Sequence, residues 1–362
     1  MRQTNKIRKG IAWLLCTVLV LGILPMLPQM SMQISAAENA ASVCVDGVEL
    51  YAGGKEYFKN GDTADSGATG TYEDHSAYYD TAGELWLNNL EAHTIKADGN
   101  LTIYVCNDQE TNTNIVTATQ NETAIEVTGY LTIRYGGYGG GTGSLTVESD
   151  GKEAIQAGSG MTVSDGVEVK ARAKSGATAI SSGGVLKIDG IRTKLEAAGD
   201  GSTGKGIFAR QSIYVKNSAV LTAFGGAAAY ESPSGIDKSG YGYEDYNVFI
   251  GDAAPGTQAA KDTVLDGYKY IRIEPTGVAN VKTLTELQAA AQNQYISLIN
   301  VMNDITITDT VYVRRAVTIQ SPDASNVSKL IRGKSHTDVI LDFDGANGHK
   351  SDVVTLKNII VD

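Results

Sequence analysis

Cysteine is scarce in this chain, with 3 residues in 362, so a disulfide-rich scaffold is excluded. Cys16 lies in an N-terminal apolar run, which leaves Cys44 and Cys106 for the body of the protein. Those two suit one bridge or two separate thiols, and neither has a His or Cys neighbour in sequence that would point to zinc. Basic residues are outnumbered: 30 Lys and Arg stand against 41 Asp and Glu, for a formal net charge of −11. Such a chain repels phosphate backbones, which argues against nucleic-acid partners. Proline is limited to 6 residues while glycine reaches 41, a balance that suits many tight turns between short strands. Large aromatics are few apart from tyrosine, 5 Phe and 2 Trp against 18 Tyr. Tyrosine keeps its hydroxyl wet, so this excess implies aromatic surface outside the core.

Long apolar runs are also missing, with one exception at the start. Arg2, Lys6, Arg8 and Lys9 precede an apolar run from Ile11 to Leu24, which Pro25 and Pro28 break. Ser35-Ala36-Ala37 then supplies small residues where a signal peptidase cuts. The run is shorter than the roughly 20 residues a bilayer span needs. Residues 1–37 are therefore predicted to be a secretory signal cleaved after Ala37. Losing its four basic residues takes the net charge from −11 to −15. The acidity serves solubility first. Calcium is a possible cofactor, since hard oxygen ligands are abundant, although no calcium-loop spacing is present.

What the rest of the chain does have is a repeat. An apolar-polar-apolar phrase recurs as Leu85-Trp86-Leu87, Leu101-Thr102-Ile103, Leu131-Thr132-Ile133, Met161-Thr162-Val163, Leu186-Lys187-Ile188 and Ile213-Tyr214-Val215. A second phrase precedes several of these: Thr123-Ala124-Ile125, Glu153-Ala154-Ile155, Thr178-Ala179-Ile180 and Lys205-Gly206-Ile207. A third follows, as in Val167-Glu168-Val169 and Lys194-Leu195-Glu196. Each is a period-two, half-buried strand. Three phrases returning in one order predict an all-β fold, a right-handed parallel β-helix with three short strands per coil, over residues 38–276. Like residues then stack on like, and Ala124, Ala154, Ala179 and Gly206 share one crowded position.

Around this repeat the pattern weakens. Residues 38–84 are expected to cap the first coil, since an open end exposes strand edges. Gly136 to Gly143 reads as a turn, because it lacks the Lys-Ser/Thr ending of a phosphate loop. Gly226 to Asn247 reads as an insertion and Pro275-Thr276-Gly277 as a linker. Leu284, Leu287, Ala290 and Ala291 then fall at helical spacing, with Thr283 or Thr285 as the cap and Glu286 in the first turn. Period-two runs follow from Ile296 to Val361. Residues 277–362 are thus expected to begin a second, incomplete β-helix opened by a short capping helix, and the stop at Asp362 suggests truncation.

The phrases Gly99-Asn100-Leu101-Thr102-Ile103, Gly143-Ser144-Leu145-Thr146-Val147 and Val185-Leu186-Lys187-Ile188-Asp189-Gly190 carry a resemblance. Residues 43–274 resemble bacterial carbohydrate-binding-domain β-helix surface proteins. Val281 to Val361 is similar to the first coils of pectate-lyase-like adhesive domains on Gram-positive surface proteins. The resemblance implies a secreted or cell-surface, non-catalytic protein that binds polysaccharide or host glycans, often as part of a longer chain. The usual wall-sorting signal is absent, in keeping with truncation.

Rings that stack on sugars are sought first among tyrosines. The candidates are Tyr241, Tyr243 and Tyr246, with Tyr135 and Tyr138 as a second group and Tyr230 nearby. The alternatives are a structural stalk, or a polysaccharide lyase or hydrolase whose site lies largely outside this chain. Pieces for catalysis would be Asp304, Asp309, Arg314, Arg315, Asp342, Asp344 and Asp362, which form no complete signature. His75, His93, His336 and His349 sit in polar surroundings and read as solvated.

Overall fold

A computed structural model describes residues 38–106, 113–137, 142–237, 244–260, 263–313, 315–343 and 353–362. Among these residues it is an all-β parallel solenoid of about nine turns with one short helix. Three sheets make its walls. The first holds Ile95–Ala97, Ile125–Val127, Ile155–Ala157, Ile180–Ser182, Lys205–Ala209 and Ala228–Glu231. The second runs through Glu84–Asn88, Leu101–Cys106, Tyr130–Tyr135, Gly160–Ser164, Leu186–Asp189 and Ile213–Lys216 to Ile236–Asp237. The third contains Asn114–Gln120, Ser144–Asp150, Glu168–Lys174, Lys194–Gly199 and Val220–Gly225.

Register turns the repeat into ladders. Ile95, Ile125, Ile155, Ile180 and Ile207 pair in sequence along the first sheet, and all are fully buried. Leu101, Leu131, Met161, Leu186 and Ile213 do the same in the second. Each such side chain contributes about 1.5–3 kcal/mol of burial, available only when a neighbouring coil covers it. The crowded position is real: Ala124, Ala154 and Ala179 are fully buried, and a Cβ on Gly206 would lie 2.5 Å from the Ala229 carbonyl oxygen. Corners stack as closely. A Cβ on Gly183 would sit 1.8 Å from the Gly158 oxygen, so only glycine fits there.

Antiparallel strands close the start, as the cap expectation required. The hairpin Val43–Val45/Val48–Leu50 lies antiparallel on Ile95–Ala97. Tyr57–Phe58 and Ala77–Tyr79 extend the second sheet in the same way, reaching it through Glu84–Asn88. Cys44 lies on a strand of the first sheet and Cys106 on one of the second, and no disulfide joins them.

Two expectations need correction. Gly226 to Asn247 is not all insertion, because Ala228–Glu231 and Ile236–Asp237 carry the first two sheets through a further coil. The pattern was hidden because Tyr230 replaces isoleucine as the next partner of Ile207. Pro275-Thr276-Gly277 is not a linker either, since all three lie inside the strand Tyr270–Val281. That strand changes partner in its middle: its first part runs antiparallel to Val220–Gly225 and its last part parallel to Leu298–Val301. On that side Pro275 and Gly277, with φ +78° at the latter, fall where the partner changes; on the other side Pro275 faces Tyr246, next to a register shift in the antiparallel pairing with Glu244–Gly251.

Beyond it the helix spans Leu284–Gln292, and Thr283 is its cap in a capping box with Glu286. Leu287, Ala290 and Ala291 are buried against a second apolar cluster that includes Ile299, Ile307, Val311 and Ile319. The strands Val317–Gln320 and Val354–Lys357 continue the third sheet. Side-chain amides lock these coils together. Asn300 Nδ2 donates to Asn280 Oδ1 at 2.9 Å and Gln320 Nε2 to Asn300 Oδ1 at 3.0 Å. Asn293 and Gln294, after the helix, bond to Ser218 and Arg192 in turns of the preceding coils.

Candidate functional site

Period two sends alternate side chains out of each wall, and the second sheet uses those positions for aromatic rings. Tyr57 pairs with Tyr78, Tyr78 with Trp86, Trp86 with Tyr104 and Tyr104 with Arg134. One outward row therefore crosses five strands. Tyr57 and Tyr78 stack with centroids 4.8 Å apart, and Trp86 and Tyr104 stack at 4.1 Å with planes 6° apart. Arg134 closes the row with its guanidinium 5.3 Å from the Tyr104 centroid. Among the described residues no ring contact joins Tyr78 to Trp86. His75 also meets the Tyr78 ring edge-on, with centroids 6.1 Å apart.

Polar groups flank the rings. Trp86 Nε1 donates to Asp80 Oδ2 at 2.9 Å, and the Tyr104 hydroxyl donates to Glu84 Oε1 at 3.3 Å. Arg134 is paired with Asp165 at 2.6 Å. His75 leans on the far end, 5.4 Å from Tyr57. Burial pushes the Tyr104 and Tyr78 phenols above their ordinary pKa, so both remain neutral at physiological pH. The glycine-rich turn begins on this platform: a Cβ on Gly136 would lie 2.9 Å from Tyr104 Cβ and 3.0 Å from Trp86 Cζ3. A bare backbone there lets Gly136 lie against the indole.

The tyrosines singled out from the sequence fall elsewhere. Tyr230 is 5% exposed and continues the buried isoleucine ladder, so its ring has no free face. Its hydroxyl bonds to Asp266. Tyr135 and Tyr246 are half-buried and pack against the core, and the Tyr246 hydroxyl accepts from the Ser218 N–H at 2.9 Å. Tyr138, Tyr241 and Tyr243 lie outside the described residues. The structure brings none of the three described tyrosines into the row on the second sheet.

The catalytic pieces are dispersed. Asp304 accepts from the Lys329 N–H at 2.8 Å, which ties two coils together. Asp309 reaches Gln288 at 3.5 Å, and Arg315 bonds the helix carbonyl of Ala290 at 2.9 Å. Asp342 ends a two-residue strand, Asp362 lies on the exposed last strand edge, and Arg314 and Asp344 lie outside the described residues. His336 is buried rather than solvated, with Nε2 3.1 Å from the Val339 oxygen. His93 Nδ1 is 3.1 Å from the Thr117 oxygen, and His349 lies outside the described residues. Among the described residues no group of three or more His, Cys, Asp or Glu is placed to hold a metal ion. Among the same residues no helix is long and apolar enough to cross a membrane.

No curated protein and no solved structure matches the chain. Residues 278–362, the helix and the coils that follow it, match the family described as "Putative pectate lyase-like adhesive domain".

Proposed function

We propose that this is a surface adhesin-like protein that holds polysaccharide or host glycan on the outer face of its second sheet. The adhesive-domain match and the solenoid fold fit a surface or secreted adhesive role. The single observation that carries the glycan assignment is the outward row Tyr57, Tyr78, Trp86, Tyr104 and Arg134. Its rungs follow the strand spacing of about 4.8 Å, close to the advance of one sugar along an extended chain. The half-buried rings of Tyr78, Trp86 and Tyr104 offer apolar surface for stacking. Asp80 and Glu84, which already accept from ring donors, have further lone pairs for sugar hydroxyls. The role read here is retention of the glycan and not its turnover.

The test is a screen of the chain against soluble glycans and insoluble polysaccharides, with calcium and with chelator. Retention that survives washing and falls in Trp86→Ala is the expected result. Retention unaffected by Trp86→Ala would reduce the row to a packing device. A chelator effect would revive calcium as a ligand of the acidic surface.

A further inference from the structure

The outward face of the second sheet carries a second, polar row beside the rings. Side chains two places apart on a strand share a face. Glu84 therefore stands beside Trp86, Thr102 beside Tyr104, Thr132 beside Arg134 and Thr162 beside Ser164, and all of them are half-buried. Register sets the polar members in line as it does the rings. Glu84 pairs with Thr102, Thr102 with Thr132, Thr132 with Thr162 and Thr162 with Lys187. The two rows lie about 6.6 Å apart along the strands and repeat about every 4.8 Å across them. Rings stand taller than threonines, so together the rows form a step along the solenoid axis, about 14 Å long over these four strands.

The threonine hydroxyls divide into two kinds. Thr162 Oγ1 lies 2.7 Å from the Tyr130 hydroxyl, and either can donate. Thr102 and Thr132, nearer the rings, make no hydrogen bond among the described residues. Each of these hydroxyls offers one donor and two acceptor positions. The third sheet lacks this arrangement, since its outward Thr146 stands between Ile115 and Lys170.

We infer that Thr102 and Thr132 are the polar half of the glycan site, and that they hold an unbranched, extended chain along the solenoid axis, one sugar to a coil. The inference rests on the glycan reading above and adds to it the direction of the chain, its shape and two contact residues. A sugar has an apolar face for the rings and hydroxyls at its rim for the threonines. Successive sugars of an extended chain then meet successive rungs. A chain laid along a strand would meet one rung, and a coiled chain would turn away from the step after its first contact.

The experiment measures binding of hexasaccharides to the full chain by calorimetry. The extended probes are the β-1,4-linked hexamers of glucose, xylose, mannose and N-acetylglucosamine, and the coiled control is the α-1,4-linked hexamer of glucose. At least one extended hexamer is expected to bind more tightly than the coiled one, with affinity rising from its dimer up to about four sugars. Thr102→Val and Thr132→Val keep the β-branched shape and should each weaken that binding about fivefold, the value of one hydrogen bond. Thr102→Ser, which keeps the hydroxyl, should bind as the parent does, and Thr146→Val on the third sheet should change nothing. Binding indifferent to both valine variants, a loss that serine shares, no gain beyond the dimer, or a coiled hexamer bound as well as the extended ones would overturn the inference. Failure of all four extended hexamers while polysaccharide retention still depends on Trp86 would sink the threonine row and spare the aromatic one. Retention indifferent to Trp86→Ala would sink the glycan reading itself, and the threonine row with it.

Discussion

The second and third sheets share one core and differ in what they show to solvent. Inward, both are aliphatic ladders, Leu131-Met161-Leu186 in one and Leu145-Val169-Leu195 in the other, buried to within 1%. Outward, the second sheet begins with rings that stack along the axis. The third sheet carries alternating charges instead. Lys170 meets Glu168 at 3.0 Å, Lys174 meets Glu148 at 3.2 Å, and Lys194 reaches Glu168 at 3.9 Å. Lys170 and Glu168 pair along one strand, and the other two pairs cross between neighbouring strands. The coil geometry dictates only the inward positions, so the outward ones are free to differ, and binding chemistry is to be sought where they differ most.

The comparison breaks most completely through the shared core. Ile155→Ala removes a rung behind both faces and should cost about 2–5 kcal/mol in denaturant unfolding, with glycan retention falling as the fold is lost. Replacing Trp86 and Tyr104 together by alanine should separate the faces. Retention is expected to fall by about thirtyfold, near 2 kcal/mol, while thermal unfolding remains a single transition. Thr283→Ala removes the helix cap and should cost about 1 kcal/mol, read as a lower unfolding midpoint with unchanged retention by the aromatic row.

Asp62 offers a pH-dependent version of the test, because it braces the loop that follows Tyr57–Phe58. Burial pushes its carboxyl up, but hydrogen bonds from the Lys59, Thr69 and Gly70 N–H groups and the Thr69 hydroxyl outweigh that and hold its pKa below the ordinary 3.8. A lowered carboxylate pKa contributes stability above the unfolded value and loses it as pH falls through the folded one. Asp62→Asn should therefore be less stable than the parent at neutral pH, and the gap should close below about pH 4. A gap that persists in acid would contradict this. The smallest effect is expected on the third sheet. Lys174→Ala should change stability by no more than about 0.5 kcal/mol, since the pair with Glu148 is exposed.

Much of the fold was legible in the sequence, because period-two phrases recur with few interruptions. Ile125, Ile155, Ile180 and Ile207 stand in register as their spacing implied. The helix was marked by Thr283 and Glu286. The aromatic row was not read, because Tyr57 and Tyr78 arrive on antiparallel capping strands outside the repeat. A signal did exist. Leu85-Trp86-Leu87 and Ile103-Tyr104-Val105 put a ring at the outward place of successive phrases, and stacking those phrases stacks the rings. Tyr230 misled for the converse reason, since a tyrosine in a weak phrase looks like surface until register assigns it to the core.

The most direct measurement compares two double variants on whichever polysaccharide the parent chain retains best. One is Trp86→Ala with Tyr104→Ala, on the second sheet; the other is Lys170→Ala with Lys174→Ala, on the third. Loss of retention in the first and parental retention in the second is the predicted result. Equal retention in both, or loss confined to the lysine pair, would contradict the claim that the aromatic face is where this protein holds its glycan.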